Sequence, residues 1–157
     1  MQQTDGICLI VKMNLKKILL LVGTMATLCA ATAHAERLAV LSKIANIRSG
    51  PGTQYEVMWQ VEKYFPLSIL EKHGRWYRFQ DFENDIGWIH NSLVGKMPTV
   101  ISRRPKCNVR SGPGTGNAIV FSVEKGIPFK VLGKKGNWLH VEHADGDSGW
   151  IYKTLVW

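Results

Sequence analysis

The sequence predicts an all-β protein made of two small domains in tandem, each a small barrel or a half-open sandwich, and three observations support this. The 157 residues include fifteen Gly and six Pro, mostly in short clusters between apolar runs, a pattern typical of many tight turns. Six Trp, five Phe and four Tyr give more aromatic surface than a chain without a core would carry. The third observation is an internal repeat, and each copy has the size of a small β domain.

The internal repeat contains no gap. Residues 46–94 align with residues 108–156 at a constant offset of 62, and 21 of the 49 pairs are identical. The longest identical runs are 48–53 with 110–115, 61–63 with 123–125 and 87–89 with 149–151. A match of this length indicates tandem duplication. We therefore expect one domain over residues 36–95 and a second over residues 96–157.

The first 35 residues are predicted to be a targeting signal and an upstream extension. From Met13, two lysines precede the uncharged apolar run 18–31, and the small-residue sequence 33–35 (Ala-His-Ala) follows, which is the pattern of a secretory signal peptide. We expect cleavage before Glu36 and a true start at Met13, with residues 1–12 as the extension. The apolar run is shorter than the roughly 20 residues of a membrane-spanning helix. We therefore expect a periplasmic or secreted protein with no transmembrane anchor after cleavage.

Each repeat predicts five short strands separated by turns. The candidates in the first repeat are 38–41, 57–61, 67–70, 76–79 and 87–90, with partners 62 residues further on. A Gly-Pro-Gly sequence predicts a type II turn, in which proline presets φ and the second glycine takes a positive φ. The predicted turn residues are Gly50, Pro51 and Gly52, with the counterparts Gly112, Pro113 and Gly114.

The repeated motif resembles that of the bacterial Src-homology-3-like (SH3b) family. It consists of Asn-(Ile/Val)-Arg-Ser-Gly-Pro-Gly-Thr, an apolar strand, Gly-x-Trp, Gly-Trp-Ile and a closing Leu-Val, and it covers about residues 38–157. The resemblance implies an SH3-like β-barrel of five to six strands in each repeat. It also implies a binding role in the cell envelope, commonly toward peptidoglycan or its stem peptides. Members of the family are often attached to wall hydrolases, and we recognise no such domain in this sequence.

Few residues are arranged for catalysis or metal binding. Cys107 is the only cysteine after the predicted cleavage site, and its counterpart is Ala45, so we expect a small buried residue rather than a nucleophile. On a strand, His140 and Glu142 share one face while His143 points to the other, so they do not form the compact ligand set of a zinc site. A weak metal site stays open only if the following turn bends early. We expect no metal, no cofactor and no catalysis.

Four tryptophans are predicted to lie off the main core. Strand alternation places Trp76 and Trp138 on the face opposite the apolar residues that follow them, and it places Trp88 and Trp150 opposite the neighbouring isoleucines. Two interpretations stay open. The indoles form a stacking wall for a sugar or a peptide, or they cover the ends of the barrels.

Positive charge is concentrated in the second repeat. Residues 36–94 carry seven basic and seven acidic residues, whereas residues 95–157 carry ten basic and four acidic, a net charge of +6. Nucleic acid is the usual partner of such a patch, but the predicted export argues against it. An anionic envelope component is one interpretation, and a merely soluble basic surface is the other. The predicted ligand-binding residues are Tyr55, Trp59, Trp76, Trp88, Trp138, Trp150, Arg103 and Arg104.

These observations favour an exported binding protein of the cell envelope. The first expectation is that the tandem SH3-like domains recognise peptidoglycan or its stem peptides without catalysis of their own. The alternative is a periplasmic adaptor that recruits an envelope enzyme through a barrel groove or an exposed strand edge. Binding to purified sacculi distinguishes the two classes.

Overall fold

The computed structural model describes residues 36–157. The predicted signal peptide, its cleavage site and the start at Met13 lie outside the described residues. Between residues 36 and 157, no helix is long and apolar enough to cross a membrane.

The first barrel is one antiparallel sheet of seven strands. Its strands are β1 (Glu36–Val40), β2 (Ile44–Arg48), β3 (Val57–Glu62), β4 (Pro66–His73), β5 (Trp76–Gln80), β6 (Ile86–His90) and β7 (Val94–Gly95), with a 3-10 turn over Asn91–Leu93. They pair in the order β3-β2-β6-β5-β4-β1-β7. The amide of Tyr64 donates to the carbonyl of Val40 at 2.8 Å. This bond joins the turn after β3 to the end of β1, so the two ends of the sheet come together around the core.

The second barrel repeats this arrangement. Its strands are β8 (Thr99–Ile101), β9 (Cys107–Arg110), β10 (Ile119–Val123), β11 (Pro128–Lys135), β12 (Trp138–Glu142) and β13 (Ser148–Tyr152), with a 3-10 turn over Lys153–Leu155. They pair in the order β10-β9-β13-β12-β11-β8. The amide of Gly126 donates to the carbonyl of Ser102 at 2.8 Å, and this bond is the counterpart, 62 residues on, of the bond between Tyr64 and Val40. The predicted all-β fold of two tandem SH3-like barrels is confirmed.

Alternation along the strands fills each barrel with apolar side chains. The largest buried residues of the first core include Ile47, Leu67, Phe79 and Ile89, and those of the second include Val109, Phe129, Val141 and Ile151. Every second residue of a central strand points inward, so the residues between them stand on the outer face. The outer faces are therefore the surfaces on which a binding site can form.

The strand Ile44–Arg48 was not among the predicted strands, nor was its counterpart β9. Ala45 and Ile47 are buried while Asn46 is exposed, so this segment alternates as a half-buried strand does. The strand was not predicted because the Gly-Pro-Gly run, which indicates a turn, follows it closely. The strand carries part of the outer face described below.

The Gly-Pro-Gly loop is not a type II turn, and that prediction is wrong. The amide of Gly52 donates to the carbonyl of Gly50 at 3.0 Å, and Gly114 donates to Gly112 at 2.9 Å, so each loop contains a three-residue γ-turn around proline. Neither Gly52 nor Gly114 has a positive φ. The fixed φ of proline suits the centre of an inverse γ-turn, which needs no left-handed residue after it.

The two barrels pack against each other. Ile101 of β8 is fully buried within the core cluster of the first barrel. The guanidinium of Arg37 lies 3.9 Å from the ring centroid of Trp157, and Trp157 also packs against the first core. Lys125 and Glu83 form an ion pair across the junction. The second barrel therefore contributes apolar surface to the first.

Candidate functional site

Each barrel presents an outer face built by three adjacent strands. In the first barrel Trp76 on β5 is the cross-strand partner of His90 on β6. Trp88 on β6 lies between Arg78 and Arg48, its partners on the two neighbouring strands. Side chains in such positions contact one another directly. The strands β9, β13 and β12 present the equivalent face of the second barrel.

A groove opens on the outer face of the first barrel. This first groove has a volume of about 570 Å³, within the usual range for ligand sites. Its lining consists of Ile44, Ala45, Asn46, Arg48, Thr53, Gln60, Trp76, His90, Ser92 and Leu93. The lining combines one aromatic wall with amide, hydroxyl and guanidinium groups, and it contains no carboxylate.

The second barrel has a groove at the equivalent place. This second groove has a volume of about 310 Å³ and is lined by Lys106, Asn108, Arg110, Thr115, Trp138, Tyr152 and Leu155. Each of these residues lies 62 positions after a residue of the first groove. The asparagine, arginine, threonine, tryptophan and leucine are identical in the two grooves.

An arginine clamps the Gly-Pro-Gly loop that forms one side of each groove. Arg48 donates through Nη1 to the carbonyl oxygens of Thr53 at 3.1 Å and of Tyr55 at 2.7 Å. Arg110 donates through Nη1 to the equivalent oxygens at 2.9 Å and 2.7 Å. Charged donors make the stronger hydrogen bonds. The clamp therefore fixes the loop and places the positive charge of a guanidinium at the groove.

The aromatic wall is held edge to face. The ring centroids of Trp76 and His90 are 5.2 Å apart with an interplanar angle of 81°, and those of Trp138 and Tyr152 are 5.2 Å apart at 70°. T-shaped pairs of this kind are a preferred aromatic geometry. Each tryptophan is half-buried, so part of its indole stays open to the groove.

The asparagine amides are oriented by the neighbouring strand. Gln60 Nε2 donates to Asn46 Oδ1 at 2.8 Å, and Ser122 Oγ donates to Asn108 Oδ1 at 2.8 Å. Because the amide oxygen accepts this bond, the amide is held in one orientation. The two barrels thus keep the same polar arrangement although the donor differs.

The four outer tryptophans lie where alternation predicts, and their part in ligand binding stays a prediction. Trp76 and Trp138 line the two grooves. Trp88 and Trp150 stand on the same outer faces but pack on histidines. The centroid of Trp88 is 6.4 Å from that of His73, and Trp150 stacks on His140 at 4.9 Å.

Trp59 lies apart from the first groove. It lines a different groove of about 540 Å³ together with Glu62, Phe82 and the acidic residues of the β5–β6 turn. Burial raises the pKa of the Asp81 carboxyl there, although the amides of Glu83 and Asp85 donate to it at 2.8 Å and 2.9 Å. We call this surface the acidic groove.

Tyr55 and the paired arginines occupy two further positions. The ring of Tyr55 lies over Gly50, where an added Cβ would be 2.4 Å from a ring carbon, so Tyr55 belongs to the clamped loop. Arg103 and Arg104 are exposed between β8 and β9. The amide of Arg103 donates to the carbonyl of Leu155 at 2.9 Å, which places this pair beside the second groove.

Several residues that line the grooves were not predicted from the sequence. They are Asn46, Arg48, Thr53 and His90, with Asn108, Arg110, Thr115 and Tyr152 as counterparts, and Lys106. A signal existed for the asparagine and the arginine, since both are identical in the two repeats and two positions apart on one strand face.

The residues considered for chemistry are held in structural contacts. Cys107 is fully buried, with Sγ 3.6 Å from the carbonyl oxygens of Arg104 and Leu155. His143 lies with Nδ1 2.8 Å from Asp145 Oδ1. Among residues 36–157, no group of three His, Cys, Asp or Glu side chains is placed to hold a metal ion.

A family model described as "Bacterial SH3 domain" matches the chain twice, over residues 42–96 and 104–157. This confirms the resemblance inferred from the repeated motif.

Two curated relatives carry names of wall enzymes. "Putative N-acetylmuramoyl-L-alanine amidase YrvJ" of Bacillus subtilis (strain 168) is 27% identical over 141 residues, which is 83% of this chain and 27% of that protein. "Probable cell wall amidase LytH" of Staphylococcus aureus is 41% identical over 44 residues, which is 27% of this chain and 15% of that protein. The chain thus spans about a quarter, or less, of the length of these relatives.

Solved structures to which this chain is similar include an NlpC/P60 family protein from Bacillus cereus ATCC 10987 and NlpC2 from Trichomonas vaginalis. Their TM-scores are 0.36 and 0.35, each at 12% identity. The alignments cover 78% and 80% of this chain, and 56% and 49% of those chains. Likeness at this level supports no conclusion about activity.

The names of the curated relatives overturn one expectation. The sequence analysis predicted a protein that is not an enzyme, whereas the relatives are named as amidases and point to a hydrolase. That prediction is therefore wrong. The prediction rested on the scarcity of reactive side chains in this sequence. Such scarcity gives no information about the relatives of the chain.

Proposed function

The chain belongs to the bacterial SH3 domain family, and on that premise we propose that its two barrels bind peptidoglycan through the first and second grooves. The family and the amidase relatives point to a peptidoglycan-related protein of the cell envelope or the extracellular space. The proposed domains extend over residues 36–95 and 96–157. The observation that carries the proposal is the repetition of one groove, with the same asparagine, arginine, threonine and tryptophan, in both barrels.

The chemistry of the grooves suits a short peptide or a sugar. An indole offers a flat apolar face to a sugar ring or a small side chain. The neighbouring guanidinium and amide donate to carbonyl or carboxylate oxygens. Both ligand classes occur in peptidoglycan, and both grooves offer these groups side by side.

Two sites on one chain strengthen attachment to a polymer. When the first groove is occupied, the second meets its ligand at a high effective concentration, so that weak single sites produce strong overall binding. The role that we assign to the barrels is to hold amidase activity of the kind named for the relatives on its wall substrate.

The proposal is tested by sedimentation with purified sacculi. Retention of the protein by sacculi, with release by soluble muropeptides, supports binding to peptidoglycan. A protein that stays in the supernatant at all sacculus concentrations would refute it. In a parallel experiment the protein is incubated with an envelope extract from which the sacculi have been removed, so that capture by other envelope components is measured separately.

A second candidate function is that of a protein adaptor, and the sheet edges favour it. Strands β3 and β10 are edge strands, and both expose apolar residues at equivalent positions. Val57 and Met58 are 40% and 46% exposed, and Ile119 and Val120 are 50% and 56% exposed. An apolar edge strand is a template for pairing with another protein. Specific capture of an envelope protein without retention by sacculi would favour this function.

Charge reversal of the arginine pair beside the second groove is expected to weaken binding to sacculi. In the variant Arg103→Glu/Arg104→Glu we expect a loss of affinity on the order of tenfold, because two attractive surface charges become repulsive. The free energy of unfolding, measured with urea, should stay within about 0.5 kcal/mol of the wild type, since both side chains are exposed.

Added salt should reproduce the effect of this substitution, because exposed charges are screened over roughly 8 Å at physiological ionic strength. The control is Arg103→Lys/Arg104→Lys, which keeps the charge and should keep the affinity. Binding that is insensitive both to salt and to the charge reversal would contradict the prediction.

A further inference from the structure

We propose that the second groove is a carboxylate site for the free carboxyl end of a peptide, and that Lys106 gives it a stronger preference for a carboxylate than the first groove has. The inference rests on the proposed function only in taking the ligand to be a wall peptide. It goes further in separating the two grooves, which duplication made equivalent, into one site with a single guanidinium and one site with a guanidinium and an ammonium.

The two grooves differ most in charge at one position. Ile44 of the first groove, 55% exposed, corresponds to Lys106 in the second, which is also exposed. The second groove therefore combines an ammonium with the guanidinium of Arg110, and its lining contains no carboxylate. The first groove has an isoleucine at the place of the ammonium.

The acidic residues of the second barrel gather elsewhere. Residues 95–157 contain four acidic side chains. Three of them, Glu124, Asp145 and Asp147, line the counterpart of the acidic groove. The second barrel thus separates most of its charges, with three of its four carboxylates in one groove and two cations without a carboxylate in the other. Such a site attracts an anionic group and repels a cationic one.

Arg110 is positioned to receive a carboxylate. Its Nη1 is held by two loop carbonyls, so the planar guanidinium has a fixed direction. Its Nη2 makes no hydrogen bond to the residues that the structure describes. A fixed guanidinium loses little conformational entropy on binding, and its fork matches the two oxygens of a carboxylate. Lys106 adds a flexible point charge at the same site.

The remaining lining selects a peptide end over a phosphate polymer. Trp138, the Tyr152 ring and Leu155 provide an apolar wall. Asn137 Nδ2 donates to the Tyr152 hydroxyl oxygen at 3.3 Å, so the phenol is tethered at the rim. A peptide end places a small side chain directly beside its carboxylate and covers this wall. A phosphate polymer offers the wall little apolar surface.

The test uses a synthetic stem tetrapeptide with a blocked amino end, prepared with either a carboxylate or an amide at its carboxyl end. The full chain is titrated with each form, and the indole N–H resonance of Trp138 reports the second groove while that of Trp76 reports the first. We expect the second groove to bind the carboxylate form about five- to tenfold more tightly than the amide. The first groove, which has Arg48 but no ammonium, should show a smaller difference between the two forms.

The duplicated grooves supply matched variants. Lys106→Ile should lower the preference of the second groove to that of the first, and Lys106→Arg should keep it. Ile44→Lys should raise the preference of the first groove, and this gain cannot result from misfolding. Equal binding of the two forms by the second groove of the wild type, or an undiminished preference in Lys106→Ile, would overturn the inference. The inference would also be overturned if poly(glycerol phosphate) displaced the peptide from the second groove, as reported by Trp138, at a concentration below that of the peptide.

Sedimentation of the same variants with sacculi keeps this inference distinct from the proposed function. Retention by sacculi together with equal binding of the two peptide forms would remove the carboxylate site alone. Absence of retention in every variant, including the wild type, would remove the proposed function.

Discussion

Alanine at Gly149 is expected to destabilise the second barrel by about 1–3 kcal/mol, the usual cost of forcing an extra group into a packed core. A Cβ at this position would lie 2.7 Å from Val109 Cγ1 and 2.8 Å from the carbonyl oxygen of Arg110. The second contact is with backbone, which cannot move without disturbing the strand pair. Gly149 precedes Trp150, the cross-strand partner of Arg110, so the substitution also disturbs the strand that carries the groove arginine.

Gly87→Ala should have an effect of the same size in the first barrel. A Cβ there would lie 2.3 Å from Ile47 Cγ2 and 3.1 Å from the Trp59 ring. The control is Gly133→Ala, because a Cβ at Gly133 meets nothing within 4 Å. Urea unfolding of the three variants measures the effect. An unchanged midpoint in Gly149→Ala, or an equal loss in Gly133→Ala, would show that the strands do not approach as described.

Removal of the groove tryptophans should cause the largest loss of binding. We expect Trp76→Ala and Trp138→Ala each to lower the affinity for sacculi by about tenfold, since buried aromatic anchors dominate binding energy at most interfaces. The double variant should lose more than either single variant, because the advantage of two linked sites disappears with it. Sedimentation across a range of sacculus concentrations gives the affinities.

The matched control for this prediction is Trp59→Phe. The second repeat has Phe121 at the equivalent position, so the chain already accepts phenylalanine there. Trp59 lines the acidic groove rather than the first groove, and binding should be unchanged. If Trp59→Phe weakened binding while the double alanine variant did not, the ligand site would lie in the acidic groove.

Much of the fold follows from local patterns in the sequence. Alternation alone placed Phe79 and Val141 inside the barrels and Trp76 and Trp138 outside, because a strand reverses its side chains at every residue. The strand that contains Asn46 was missed, because the Gly-Pro-Gly turn sequence begins two residues after its last residue. The type II turn was also wrong, because the same Gly-Pro-Gly chemistry is compatible with a γ-turn.

The grooves depend on contacts that no local pattern reveals. The clamp joins Arg48 to a carbonyl seven residues further on, and the aromatic wall joins Trp76 to His90 across two strands. Which side chains meet in this way depends on the register in which the strands pair. The sequence therefore indicated that Trp76 is available for binding but not that it shares a groove with Arg48. It also grouped Trp59 with Trp76, although the barrel separates them.

The most direct test of peptidoglycan binding in the two grooves locates the ligand among the six tryptophans of the chain. Their indole N–H groups give separate resonances in a ¹⁵N-labelled protein, and soluble muropeptides are added until the changes saturate. Binding in the first and second grooves predicts that the resonances of Trp76 and Trp138 shift, while those of Trp59 in the acidic groove and Trp157 at the barrel junction do not. Shifts at Trp59 or Trp157 with Trp76 and Trp138 unmoved would contradict it.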